Sequence, residues 1–194
     1  KIRLGELEES IKLKKGNEIL VKAGNAFMGN KNEVFVNYKN FAKDVKIGDE
    51  VLIDDGKYKF SVIKTDKKTN VTLCALNNAI LNSRKGINLP QTKISTSSLT
   101  PKDIKDVKFA IDLKADWIAL SFVRTGNDII DLRKTIEKFS EEKIPIIAKI
   151  EKPEAIDNID SIIKNADGIM VARGDLGIEM PSQEVPLIQK TLVY

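Results

Sequence analysis

The hydrophobic period of this 194-residue chain changes near Pro90, and that change constrains each half to a different kind of structure. From about Ile2 to Leu89 the apolar residues fall in short alternating runs, the period of a strand with one buried face. Residues 10–14, 19–22, 34–38, 50–53, 57–64, 71–76 and 79–82 read as strands, each bounded by Gly, Asn or Asp. Asp55-Gly56 lies between two of them, where a glycine's freedom at positive φ suits a hairpin turn. Several strands of this length and spacing predict a small closed β-barrel.

After Pro90 helices alternate with strands. Thr100-Pro101-Lys102-Asp103 opens a helix, with Thr as cap, Pro in the first turn and Asp complementing the dipole. Ile104, Val107 and Ile111 form its apolar stripe. Residues 117–122 are a nearly continuous apolar run, the pattern of a strand covered on both faces. Residues 128–139 read as a helix, 145–150 as a buried strand, 156–164 as a helix and 168–171 as a strand, and Ser182 as the cap of a last helix. Strands begin about every 23 to 28 residues, the βαβ repeat of a parallel sheet. Periodicity alone does not separate a (β/α)8 barrel from a doubly wound sheet, and the units here are too few to close a barrel.

Composition narrows the chemistry. The chain contains no histidine, which excludes Ser-His and Cys-His catalysis and histidine metal sites. A single cysteine, Cys74, excludes a disulfide framework and Cys-x-x-Cys sites. The net charge of +4 comes from 32 basic residues interspersed among 28 acidic ones, a solvated lysine-rich surface more than a nucleic-acid groove. No apolar run approaches the roughly 20 residues of a membrane span, and no signal peptide is evident. The missing initiator Met and an end inside an expected helix, at Leu192-Val193-Tyr194, read as a fragment.

In parallel α/β architectures, function gathers at the carboxyl ends of strands. Three such ends are polar here: Ser121-Phe122-Val123-Arg124, Lys149-Ile150-Glu151 and Ala172-Arg173-Gly174-Asp175. Lys149 and Glu151 are two apart on an extended segment, so both face one way and Ile150 the other. Taken alone they are as well explained by a surface ion pair. Arg173-Gly174-Asp175-Leu176-Gly177 sets glycines beside an acid, which suits either close approach of an anion to backbone amides or an ordinary turn capped by Asp. Two carboxylates on adjacent strand ends, with a lysine and exposed amides, suit magnesium and an anionic substrate.

The segment from Ile144 to Ile156, IPIIAKIEKPEAI, closely resembles the active-site signature of the pyruvate kinase family, and Asp167 to Glu179, DGIMVARGDLGIE, the segment that follows it. Lys85-Gly86-Ile87-Asn88-Leu89-Pro90 resembles the family's return from its β-domain into its barrel, and Lys1-Ile2-Arg3 its exit from barrel strand three. The resemblance implies a fold that is α/β plus all-β. Residues 1–3 would end barrel strand three, 4–88 would be an inserted β-barrel lid, and 89–194 would run from about helix 3 to helix 6 of a (β/α)8 TIM barrel.

It also implies phosphoryl transfer from phosphoenolpyruvate to ADP, giving pyruvate and ATP. Glu151 and Asp175 would hold Mg2+ or Mn2+. Lys149 would stabilise the phosphoryl group in flight, and Arg173, Gly174 and Asp175 would bind substrate with it. Arg3 and Lys85 would meet the nucleotide phosphates. Lys1 would stand in for potassium, so that potassium is not required. The parent would be a cytoplasmic homotetramer with no nucleic-acid or membrane partner. Because the family's other substrate and metal contacts lie outside these residues, the chain by itself is expected to be inactive.

Two rivals remain. A magnesium-dependent enolate aldolase of the phosphoenolpyruvate/pyruvate barrel superfamily would share the carboxylates, but such barrels lack the inserted β-domain. A basic β-barrel binding single-stranded nucleic acid would need stacking rings, and Phe35, Tyr38, Tyr58 and Phe60 are few.

Overall fold

Alternation becomes one buried and one more exposed strand face in the computed structural model, which describes residues 2–95 and 97–193. The chain forms two units, residues 1–96 and 97–194. In the first, the elements are β1 (Ile11–Leu13), β2 (Glu18–Lys22), β3 (Glu33–Phe35), α1 (Phe41–Asp44), β4 (Glu50–Ile53), β5 (Tyr58–Thr65), β6 (Asn70–Ala75), β7 (Ala79–Leu81) and β8 (Ile87–Asn88). In β6, Val71, Leu73 and Ala75 are buried and the polar residues between them are not. Six strands make one sheet in the order β3-β2-β6-β5-β4-β8, while β1 and β7 pair separately. Phe41, Phe60, Ile19, Val34 and Leu73 fill the core beneath it.

Both edges of that sheet bond to the same stretch of chain. On the β8 side, Leu4 N–H donates to the Lys85 carbonyl at 2.9 Å and Ile87 N–H to the Ile2 carbonyl at 2.9 Å. On the β3 side, Gly5 N–H donates to the Phe35 carbonyl at 2.8 Å and Asn37 N–H to the Arg3 carbonyl at 3.1 Å. Residues 2–5 therefore satisfy edge groups that would otherwise offer a template for pairing. The strand expected over 34–38 is shorter, since Val36 continues only as a bridge to Leu4. The β4–β5 turn is wider than Asp55-Gly56: Asp54, Asp55 and Gly56 all have positive φ, at 57°, 55° and 84°. Aspartate is among the few residues besides glycine that visit this region.

The second unit contains α2 (Pro101–Asp112), β9 (Ile118–Leu120), α3 (Gly126–Glu137), β10 (Ile146–Ile150), α4 (Pro153–Asp157), α5 (Ile159–Asn165), β11 (Gly168–Val171), α6 (Arg173–Glu179) and α7 (Val185–Val193). β10 is central, parallel to β9 on one side and to β11 on the other. Its Ile146, Ala148 and Ile150 are fully buried with Ile129, Leu132 and Ile162 of the helices. Thr100 and Asp103 form the capping box that starts α2.

Several expectations for this half need correction. The run 117–122 is a strand only over Ile118–Leu120; Trp117 is half exposed, and Phe122 turns out of the strand at a φ of 56°. Ile104 is partly exposed, so the α2 stripe rests on Val107 and Ile111. α3 starts at Gly126, because the Asp128 carboxylate accepts the Arg124 and Thr125 N–H groups from inside the first turn. The helix expected over 156–164 is two helices. Asn158 breaks it by donating its side-chain amide to the Glu154 carbonyl at 2.8 Å, a local bond that competes with the helix. Ser182 caps nothing: it lies in a turn, and α7 begins at Val185 with Pro186 in its first turn.

Candidate functional site

The parallel ladder brings three polar strand ends together. Lys149 is opposite Met170 of β11, and Ala148 is opposite Leu120 of β9, so Ser121 and Glu151 both emerge just past the paired residues. Lys149 Nζ lies 2.6 Å from Glu151 Oε1 and donates to Ser121 Oγ at 3.0 Å. The other carboxylate oxygen, Glu151 Oε2, accepts the backbone N–H of Phe122 at 3.0 Å. The Glu151 side chain is 2% exposed and that of Lys149 is 25% exposed. This is not a surface ion pair. A buried carboxylate needs its charge compensated and its oxygens hydrogen-bonded; here a lysine engages one oxygen and a backbone amide the other, which leaves each oxygen a further lone pair.

Arg173, Gly174 and Asp175 follow β11, whose Val171 is paired with Ile150. The expected glycine turn is instead the first turn of a helix, since α6 begins at Arg173. Arg173 and Gly174 are exposed and Asp175 is half-buried. A Cβ on Gly174 would meet nothing within 4 Å, so its backbone stands open.

Arg3 and Lys85 lie in the first unit, flanking the bridge between Arg3 and Gly86. Arg3 Nη1 donates to the Arg84 carbonyl at 3.0 Å, and the Arg3 N–H donates to Asn37 Oδ1 at 2.8 Å. Lys85 Nζ lies 2.8 Å from Asp54 Oδ1. The hydrogen bond to Asp54 and its charge hold the Lys85 ammonium above its ordinary pKa. Lys1, expected to stand in for potassium, lies outside the described residues.

Asp54 escaped the sequence reading because nothing in a hairpin turn marks an ion pair some thirty residues away. The Phe122 amide escaped it because a backbone donor has no residue type. Lys152 and Glu179 escaped it too: Lys152 Nζ donates to Glu179 Oε1 at 2.9 Å, with side chains 11% and 1% exposed. Ser121 was legible as a polar strand end.

Among the described residues no group of three or more His, Cys, Asp or Glu side chains is placed to hold a metal. The strand ends supply two carboxylates, Glu151 and Asp175, and magnesium binds through one or two carboxylates with water and substrate oxygens completing its shell. Of the rings weighed for base stacking, Tyr38, Tyr58 and Phe60 are buried in the core of the first unit.

The chain matches the family model described as pyruvate kinase, barrel domain, over residues 1–194. It is 42% identical over 184 residues to the pyruvate kinase of Staphylococcus saprophyticus, covering 94% of this chain and 31% of that protein. It is 40% identical over 194 residues to that of Geobacillus stearothermophilus, covering 99% and 33% respectively. It is also 39% identical over 193 residues to that of Clostridium acetobutylicum, covering 99% and 41%. The chain belongs to the pyruvate kinase family. It spans 31–41% of the length of these relatives.

Proposed function

We propose that these residues supply the phosphoryl-transfer centre of a magnesium- or manganese-dependent pyruvate kinase, acting on phosphoenolpyruvate and ADP in the cytoplasm. The observation that carries this reading is the buried Lys149–Glu151 pair, tied to Ser121 and to the Phe122 amide at the ends of parallel strands. Residues 4–88 are read as the inserted β-barrel, supported by the hydrogen bonds from residues 2–5 to both sheet edges. Residues 89–194 are read as about helix 3 to helix 6 of the (β/α)8 barrel, supported by the parallel β9–β10–β11 ladder.

In this reading Glu151 and Asp175 would hold the divalent ion, which neutralises phosphoryl oxygen charge when bound. Lys149, oriented by Ser121 and Glu151, presents its ammonium where charge spreads over the migrating phosphoryl oxygens. Such a transfer depends on positioning and electrostatic stabilisation more than on covalent catalysis, which suits a chain without histidine. The backbone amides of Gly174 and Asp175, open at Gly174, receive the substrate carboxylate, with Arg173 beside them as a further substrate contact. Arg3 and Lys85 meet the nucleotide phosphates, with Asp54 holding the Lys85 ammonium in place.

The test is a graft. Replacing the aligned 194 residues of the Geobacillus stearothermophilus enzyme with this sequence should leave a magnesium-dependent pyruvate kinase. The 194-residue chain alone should make no ATP. A correctly folded graft without phosphoryl transfer would overturn the reading.

A further inference from the structure

The second ion pair, Lys152 with Glu179, is more deeply buried than most charged groups in proteins and belongs to no role assigned above. Lys152 follows Glu151 directly, at the start of α4, and Glu179 ends α6, one turn after Asp175. We propose that this pair is a positioning device: it fastens the far end of α6 to the carboxyl end of β10 and so fixes Asp175 relative to Glu151.

The near end of α6 is already held. Val171 is paired with Ile150, and Ala172 N–H donates to the Ile150 carbonyl at 3.1 Å. A seven-residue helix is about 10 Å long, and one anchored only at its start can swing about that point. The buried Leu176 gives a non-directional contact in the middle. The bond from Lys152 Nζ to Glu179 Oε1 adds a directional one at the far end. A buried ion pair is a poor source of net stability, because removing two charges from water offsets most of their attraction. Fixing one geometry is what such a pair does better than an apolar contact.

The inference rests on the metal reading for its purpose, but its mechanical content is separately measurable. Amide hydrogen exchange in the 194-residue chain reads helix α6 through Leu176 and Met180, whose N–H groups bond to the Ala172 and Leu176 carbonyls. In Lys152→Met/Glu179→Met, exchange at these two amides should accelerate on the order of tenfold while Leu132 of α3 keeps its protection. Lys152→Arg, which retains the charge, should stay near wild type. Acceleration of α3 and α6 together, no selective change, or an unprotected α6 in the wild type would each overturn the positioning role.

Manganese titration by water-proton relaxation supplies the second readout. The double variant should bind manganese roughly tenfold more weakly, as when a support of a ligand is removed. Selective loosening of α6 with unchanged manganese affinity would leave the pair mechanical and remove its link to the site. A wild-type chain that binds no manganese would instead remove the metal reading itself.

Discussion

Phe122 donates its backbone N–H to Glu151 Oε2 at 3.0 Å while its own φ is held at 56°. The left-handed region costs an ordinary L-residue about 1–2 kcal/mol, and an aromatic side chain is not one that adopts it readily. The turn of β9 at Phe122 aims an amide at the carboxylate instead of extending the ladder. Strain of this kind persists where surrounding contacts over-determine it, and a charge-assisted bond to a buried carboxylate is such a contact.

Glu151→Gln and Glu151→Ala separate charge from hydrogen bonding. Alanine removes both and leaves Lys149 and the Phe122 amide without their acceptor, a loss of about 3 kcal/mol. Glutamine keeps an oxygen for the amide, so its loss should be roughly half that. Both should lose manganese binding. Urea unfolding followed at Trp117, the sole tryptophan, reports on the second unit. Equal destabilisation by the two substitutions would show that the Phe122 bond contributes nothing.

Gly126→Ala tests the packing beneath the site. A Cβ at this buried glycine would stand 2.5 Å from the Ser161 carbonyl oxygen and 2.9 Å from Asn165 Nδ2. The first of these is helix backbone and cannot swing aside, so α3 and α5 must separate. We expect a loss of about 1–3 kcal/mol, as for overpacking generally, despite alanine's better helix propensity. A gain in urea midpoint would mean that propensity outweighs the clash.

The strands at residues 50–53 and 146–150 were legible because their apolar period met no competing local chemistry. The α2 start was legible because Thr100, Pro101 and Asp103 each act within one turn. What stayed hidden was set by contacts between residues distant in sequence or by side chains that compete with their own backbone. Asn158 split a helix whose apolar period continues through it. Phe122 left the strand through a bond to a residue twenty-nine positions away. The pairing of Lys149 with Glu151 followed from strand parity, but its burial did not, because parity says which way two side chains face and nothing about what covers them. Motif resemblance identified the family where physics alone left two readings open for the strand ends at Lys149–Glu151 and at Arg173–Asp175.

Lys149→Met in the graft tests the proposed role of the ammonium. An interaction formed mostly in the transition state lowers kcat and kcat/KM together and leaves KM for phosphoenolpyruvate nearly alone. The expected loss in kcat is several orders of magnitude, on the order of what removing a transition-state charge costs. Steady-state kinetics at saturating ADP checks it. A raised KM at near-normal kcat would make Lys149 a ground-state anchor instead.

The last expectation concerns acid. Asp167 joins three elements: its Oδ2 accepts Arg133 Nη2 at 2.7 Å and the Ile146 N–H at 2.9 Å, and Arg133 also reaches the Asn165 carbonyl. The Arg133 hydrogen bond first, then the Ile146 amide, hold the carboxyl below its ordinary value of 3.8, against the opposing effect of desolvation. A depressed carboxylate contributes stability that is fully present above its unfolded value and fades as pH falls through its folded value. Asp167→Asn should therefore cost about 1 kcal/mol at pH 7, a modest figure because the pair is partly solvated. The gap to wild type should narrow below about pH 4, as protons remove in the wild type what the substitution has already removed. Asp66, whose carboxyl is also held low by the Asn70 and Lys68 amides, lies in the first unit, so the Trp117 signal separates the two. Urea midpoints at pH 7 and pH 3 measure the effect, and a gap of unchanged size at pH 3 would show that the Asp167 charge does not matter to folding.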